Sequence, residues 1–461
     1  MFAENGMTKP VISMLIVMSC FLLYGHTLDY GITWLDDYYW LVLDKDFLSN
    51  ASNWLTLFSK DVFLFPDGGE FYRPLLSSTF ILDSLLNSNS FFYSHLINLL
   101  LHSLASVLYF IFLNNLFHAE YASALATLVF ASHPASATVV SWIPGRNESL
   151  LAVSVFLALI SILRFRDSGK VSNLFFFGFF LLCTLLSKEN AIVLPFLAAA
   201  ILFYDKRHRN LKTVSLFALA SAVPAALWLI LRCSAPVHSD LNFLLTIRNF
   251  VYAPLLAGRA LFPLDSVPAS PYSSLLHGWL YLTVFCVFSA LCLYGILSEK
   301  VSEGKFNIAF GLMMSVLFLL PTFAVSGDGS SRSFFSEHRL YLPLAGLVVS
   351  LLQILLLNRR QSLSAALSCI FLLFLCSVSV CHSFFYKNNY VFWQEVVRNY
   401  GNYPKYIRHL AWQEQHRYVY GSAIYYYKKA LELNPDDYES QAGLIGIYSG
   451  NNYSSFDMEE K

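Results

Sequence analysis

Phe92-Tyr93-Ser94-His95-Leu96-Ile97-Asn98-Leu99-Leu100-Leu101-His102-Ser103-Leu104-Ala105 opens an apolar run that continues without a charged residue to Phe117. As a helix this run exceeds the roughly 30 Å of a bilayer's hydrocarbon core. His95, Asn98 and His102 interrupt it. At 3.6 residues per turn they share one face, with His102 about 10 Å deeper than His95. A polar stripe on a membrane helix is costly unless it meets a bundle interior or a cavity. The stretch therefore reads as one span of a multi-helix bundle.

Composition extends that reading to the rest of the chain. The 461 residues are 56% hydrophobic and 13% charged, with 41 phenylalanines and 27 tyrosines against 30 lysines and arginines together. A soluble globule of this size could not cover its surface with so few charges, so soluble enzyme folds are excluded for most of the chain. A formal net charge of zero argues against a nucleic-acid partner. The 8 cysteines show no paired spacing and mostly lie in apolar stretches, where they read as small buried hydrophobes.

Ten further apolar runs follow the pattern: 11–24 near the start, then 121–140, 148–163, 173–187, 190–204, 213–232, 277–297, 307–325, 340–357 and 363–382. The expectation is an all-α polytopic membrane protein with about eleven transmembrane helices. Short basic connections lie at Arg164 to Lys170, Lys206 to Lys212, Lys300 to Lys305, and Arg359-Arg360. Eleven spans with a cytoplasmic N-terminus put all four on the cytoplasmic side. The stretch 241–262, broken by Arg248, Pro254 and Arg259, then reads as re-entrant or interfacial on the far side. The segments 25–91, 141–147, 188–189, 326–339 and everything after about 383 gather outside the cytoplasm.

Those segments carry most of the polar chemistry. Asp36-Asp37 follows Thr33-Trp34-Leu35 beyond the first span. Adjacent acids repel, and burial beside aromatics raises at least one pKa, which suits a carboxylate that takes a proton from an attacking hydroxyl. A solvated interfacial loop is the plainer alternative. Arg73 precedes Pro74, a residue that starts helices, and Arg146 follows Trp142-Ile143-Pro144-Gly145. Lys188-Glu189 joins two spans, and Glu337-His338-Arg339 leads into Leu340-Tyr341. Singly these read as snorkelling anchors or interfacial ion pairs. Together they suit an anion site, with His133 before the helix-bending Pro134 beside it. A divalent metal on two histidines stays an alternative, although the His95 to His102 spacing is too wide for an ordinary helical pair. A polytopic lipid or solute transporter is the rival from another class.

In their order, these motifs resemble the GT-C superfamily of membrane glycosyltransferases. They are most similar to the branch of protein O-mannosyltransferases with transmembrane and tetratricopeptide-repeat regions. The matching pieces are Trp34-Leu35-Asp36-Asp37, Tyr72-Arg73-Pro74-Leu75, His95 to Asn98 with His102, and His133-Pro134. They continue with Trp142 to Arg146, Ser187-Lys188-Glu189, and Glu337 to Pro343. The resemblance implies a polyprenyl-phosphate-linked sugar donor, membrane lipids around it, and a protein, lipid or glycan hydroxyl as acceptor. It implies Asp36, ahead of Asp37, as the catalytic base. Arg73, Arg146, Lys188 and Arg339 become donor-phosphate contacts. His95, Asn98, His102, His133, Glu189, Glu337, His338 and Tyr341 become pocket residues.

Residues 1–390 are expected to form the GT-C-like catalytic domain, including the extracytoplasmic loop 25–91. Residues 391–461 are expected to form a short tetratricopeptide-like segment and tail, with Ala423, Tyr427 and Ala430 at helical spacing ahead of Pro435. Such a segment either caps the membrane domain or holds an acceptor near the site. The small room for repeats suggests a bacterial relative in the inner membrane. In a eukaryote the membrane would be that of the ER, exposing sequons at Asn50, Asn147 and Asn452.

Overall fold

A computed structural model describes residues 9–87, 90–238, 249–264, 269–271, 277–298, 302–323, 334–356, 361–401 and 403–449. Among these the chain is helical, apart from short turns and one antiparallel strand pair, Ala269–Pro271 with Phe334–Ser336, in which Ser270 faces Phe335. Lys300, Arg359-Arg360, Arg248, residues 326–333 of the loop 326–339, the Asn452 sequon and the final acidic tail lie outside the described residues.

Among the described residues, eight helices are long and apolar enough to cross a membrane: Lys9–Asp29, Phe92–Phe117, Ile143–Ser168, Leu211–Ser234, Gly278–Leu297, Glu303–Phe323, Glu337–Leu356 and Cys369–Tyr386. A ninth counts if Glu120–Ala131 and Pro134–Ser141, bent by 60°, form one broken span. The bend follows from Pro134, which lacks an amide proton, and from His133, whose Nδ1 accepts the Ala135 N–H at 3.0 Å as a new cap.

The expected eleven spans are thus corrected to eight or nine among the described residues. Ser172–Ser187 has 16 residues and reaches about 24 Å, short of the roughly 30 Å needed. The next apolar segment splits into a 3-10 turn, Glu189–Val193, and the 11-residue helix Leu194–Tyr204. The described part of 241–262 contains Ala253–Leu261, whose 9 residues cannot cross a bilayer.

Close packing ties the later helices together. Gly311 with Ser315 faces Gly346 with Ser350, two small-x-x-x-small patterns at one crossing. A Cβ on Gly346 would meet the Gly311 carbonyl at 2.5 Å and the Ser315 amide nitrogen at 2.6 Å. Ser315 Oγ donates to the Pro343 carbonyl and Ser350 Oγ to the Ile308 carbonyl, each at 2.9 Å. In lipid, where apolar surface gives no drive to associate, this approach and these bonds hold the pair.

The segment 25–91 is structured, not an open loop. Trp40 stacks on Phe80 with centroids 4.3 Å apart and donates its indole N–H to the Val62 carbonyl at 2.7 Å. Phe80 belongs to the helix Pro74–Leu86, which starts with proline at its first position, as the Arg73-Pro74 pair predicts.

The C-terminal part forms Asn389–Tyr400, Pro404–His416, Tyr420–Leu433 and Tyr438–Tyr448. The proposed boundary at 390 falls at the start of the first of these helices. Ala423, Tyr427 and Ala430 are buried, in keeping with their spacing. Arg408 joins the layers by ion pairs to Asp437 and Glu439. Trp393, Val396, Tyr406, Ile407 and Leu410 pack in one cluster with Tyr30 and Trp142.

Substituting Gly346→Ala is expected to cost about 1–3 kcal/mol by overpacking the crossing. Denaturation of the detergent-solubilised protein should read this as an earlier midpoint, and an unchanged midpoint would remove Gly346 from the contact.

Candidate active site at the acidic turn

Two neighbouring acids end in different surroundings. Asp37 is fully buried, and its carboxylate accepts from the Thr33 amide at 2.7 Å, the Thr33 hydroxyl at 3.0 Å and the Leu35 amide at 3.0 Å. Burial raises its pKa to about 6 against the opposing effect of these donors, with the neighbouring Asp36 charge adding to the rise. Asp36 is partly exposed. Burial of its carboxyl also raises its pKa, while Arg73, Arg339 and Lys405 pull it down. The turn just ahead of them strains the backbone: Trp34 has φ of 58°, a left-handed conformation that costs a bulky residue about 1–3 kcal/mol. Trp34 is held there between Tyr38, with centroids 4.8 Å apart, and Trp412, at 4.7 Å.

Charged groups from separate elements surround Asp36. Arg73 Nε donates to Glu189 Oε2 at 3.0 Å, and Glu189 Oε1 accepts the Tyr72 amide at 2.7 Å. Glu189 therefore fixes the chain just before the helix Pro74–Leu86. Lys188 pairs with Glu148, not with its neighbour Glu189. Burial lowers the Lys188 pKa, Glu148 raises it, and Arg73 and Arg339 lower it further. Arg339 donates to the Thr322 carbonyl at 3.2 Å. His338 lies in the field of Lys188, Arg339 and Arg73, and its ring packs on Trp142 with centroids 5.0 Å apart. The gap lined by Glu148, Asn190, Thr322 and Arg339 is too narrow for water.

Arg146 lies elsewhere. Its side chain is fully buried, with Nε donating to Asn98 Oδ1 at 2.9 Å, Nη1 to Thr79 at 3.2 Å and Asp83 at 3.0 Å, and Nη2 to the Ser94 carbonyl at 2.9 Å. Nη2 also pairs with Asp83 Oδ2 at 2.9 Å, and the guanidinium carbon sits 4.6 Å above the Phe80 ring. Its donors are thus engaged by protein acceptors, away from the other residues expected as phosphate contacts. Asn98 turns its amide to the carbonyls of Val139, Val140, Trp142 and Ile143. A cleft of about 190 Å³ beside Lys45, Asp83 and Asn87 does not include Asp36.

The remaining expected pocket residues are buried in the bundle. His95 Nε2 lies 3.3 Å from the Gly31 carbonyl, and His102 Nδ1 lies 2.7 Å from the Tyr341 hydroxyl. Glu337 pairs with Arg259 and, at 2.6 Å, with His382, whose Nε2 also meets the Thr138 hydroxyl at 2.8 Å. These networks bind helices to each other. Among the described residues, no group of three or more His, Cys, Asp or Glu side chains is arranged to hold a metal ion. Asn147 is buried beside Lys188, so its sequon is not accessible in this fold, whereas Asn50 is exposed.

Sequence reasoning named Arg259 only as an interruption of 241–262, and did not single out Asp83, His382, Lys405 or Trp412. An acid alone in the apolar stretch 74–86 was the available signal for Asp83. The chain spacing carried no signal for Lys405, which lies far from Asp36 in sequence.

No family model matches the chain. Part of it is similar to human protein O-mannosyl-transferase TMTC3, 33% identical over 127 residues, which is 27% of this chain and 14% of that protein. Human protein O-mannosyl-transferase TMTC1 is 34% identical over 132 residues, 26% of this chain and 15% of the relative. The Drosophila melanogaster protein O-mannosyl-transferase Tmtc2 is 31% identical over 183 residues, 37% of this chain and 19% of the relative. The matched segments thus span less than a fifth of these relatives' lengths, and the inference of a bacterial relative finds no support among them.

Removing one partner of the Arg146–Asp83 pair leaves a buried charge uncompensated. Arg146→Met and Asp83→Asn should each cost about 3–5 kcal/mol. Thermal unfolding in detergent tests this, and full stability in both variants would contradict the enclosed pair.

Proposed function

We propose that this chain is a GT-C-type glycosyltransferase that moves a sugar from a polyprenyl-phosphate donor to a hydroxyl acceptor outside the cytoplasm. The observation that carries the reading is Asp36, a partly exposed residue on the acidic turn whose carboxyl is pushed up by burial and drawn down by the charges of Arg73, Arg339 and Lys405. The partial similarity to protein O-mannosyl-transferases supports sugar transfer, and the name of those relatives favours a protein serine or threonine as acceptor over lipid or glycan.

In this reaction the acceptor oxygen attacks the sugar's anomeric carbon. The bond from that carbon to the phosphate oxygen breaks, and its electron pair leaves on the phosphate. The acceptor's proton passes to Asp36, so the products are the glycoside and the polyprenyl phosphate. A single displacement inverts the anomeric centre. A phosphate leaving group needs cationic stabilisation more than an acid, and Arg73 and Arg339 supply it. Asp37 holds the turn through its three donors, and Arg146 has a structural role. Glu337 anchors the turn that carries His338 and Arg339.

The test is turnover of a panel of polyprenyl-phosphate sugars by the protein in lipid nanodiscs, with peptide, lipid and glycan acceptors compared. Asp36→Asn is expected to lower kcat by roughly 10²–10⁴-fold, the usual contribution of a general base. Asp37→Asn should lose thermal stability more than kcat, since an amide turns an N–H toward one of the three donors. Full turnover by Asp36→Asn would sink the base assignment.

Activity should fall as pH drops and Asp36 is protonated. The acid limb should lie above the ordinary carboxylate range, because burial raises the Asp36 pKa. Replacing Arg339 by Gln removes a cation that favours the ionised form, so the limb should move higher. A kcat/KM profile without this shift would separate Arg339 from Asp36.

A further inference from the structure

The C-terminal helices touch the acidic turn from the side opposite in sequence. Leu35 packs against the cluster of Phe392, Trp393, Tyr406 and Ile407, immediately before Asp36. Trp142, whose indole N–H donates to the Thr33 hydroxyl at 3.1 Å, belongs to the same cluster. One helix, Pro404–His416, carries Lys405 and Trp412 about two turns apart on one face, and Lys405 directly precedes Tyr406 and Ile407 of the cluster that meets Leu35. Trp412 packs on the left-handed Trp34 with centroids 4.7 Å apart, and is itself braced by His416 at 3.9 Å. Lys405 is exposed and acts on the charge of Asp36 along with Arg73 and Arg339. A helix that served only as a cap would have no need to brace the one strained residue next to the acids, nor to add a cation there.

We infer that the helix Pro404–His416 is a working wall of the candidate site, with Trp412 as a positioning residue for the acidic turn through Trp34 and Lys405 as a further contact for the anionic phosphate of the donor. The Lys405 part rests on the sugar-transfer reading, and the Trp412 part does not. The groups whose charges act on Asp36 are Asp37 from its own turn, Arg73 before the helix Pro74–Leu86, Arg339 just before the run 340–357, and Lys405 from this wall.

The full chain in nanodiscs serves both arms of the test. Hydrogen exchange over 33–39 should speed up roughly threefold to tenfold in Trp412→Ala, the size of one aromatic pair, and return toward wild type in Trp412→Phe. Lys405→Gln should weaken binding of polyprenyl phosphate itself by about threefold to tenfold, leave exchange over 33–39 unchanged, and move the acid limb of turnover upward. Lys405→Arg should restore binding. Unchanged exchange in Trp412→Ala, or unchanged phosphate-lipid binding in Lys405→Gln, would overturn the inference. If wild type binds polyprenyl phosphate yet turns over no sugar, the sugar-transfer reading fails, while exchange and lipid binding still decide whether the helix is a wall of the site.

Discussion

A single guanidinium, enclosed in the bundle, governs how the rest of the site is arranged. Arg146 joins the helix Pro74–Leu86, through Thr79 and Asp83, to the helix Phe92–Phe117, through Ser94 and Asn98. Asn98 in turn binds the carbonyls of Trp142 and Ile143, just ahead of Arg146. Trp142 reaches Thr33, and Thr33 holds Asp37. An unbroken chain of hydrogen bonds thus runs from a buried arginine to the acidic turn. Each link is expensive to leave unmade in a low-dielectric interior, so the position of the turn is set cooperatively.

That arrangement separates two side chains that look equivalent on paper. Asp37 spends both oxygens on the turn, whereas the Asp36 carboxyl lies in the field of Arg73, Arg339 and Lys405. Neighbouring carboxylates with divergent surroundings can thus differ in both partners and titration. The basic groups divide in the same way. Arg146 is consumed by structure, while Arg73, Lys188 and Arg339 stand in one mutual field.

Much of the fold was legible because apolar runs and helix breakers act locally. Pro134 bends its helix and Pro74 begins one for reasons that a few neighbouring atoms supply. The span count was less legible, since 16 apolar residues suffice to predict a helix but not a crossing. The site was legible as a set of residue types and illegible as a set of partners. Lys188 beside Glu189 suggested a local pair, yet Glu148 and Arg73 claimed them, because backbone direction separates adjacent side chains.

The sequence by itself determined that this is a many-helix membrane protein with acids and bases concentrated in its connections. Hydropathy, charge scarcity and proline act over a handful of residues and need no knowledge of the fold. Only the tertiary structure decided which charge meets which, that Arg146 is enclosed, and that a C-terminal helix stands against Trp34. Such choices depend on distances between segments far apart in the chain, and no pattern along it encodes them one at a time.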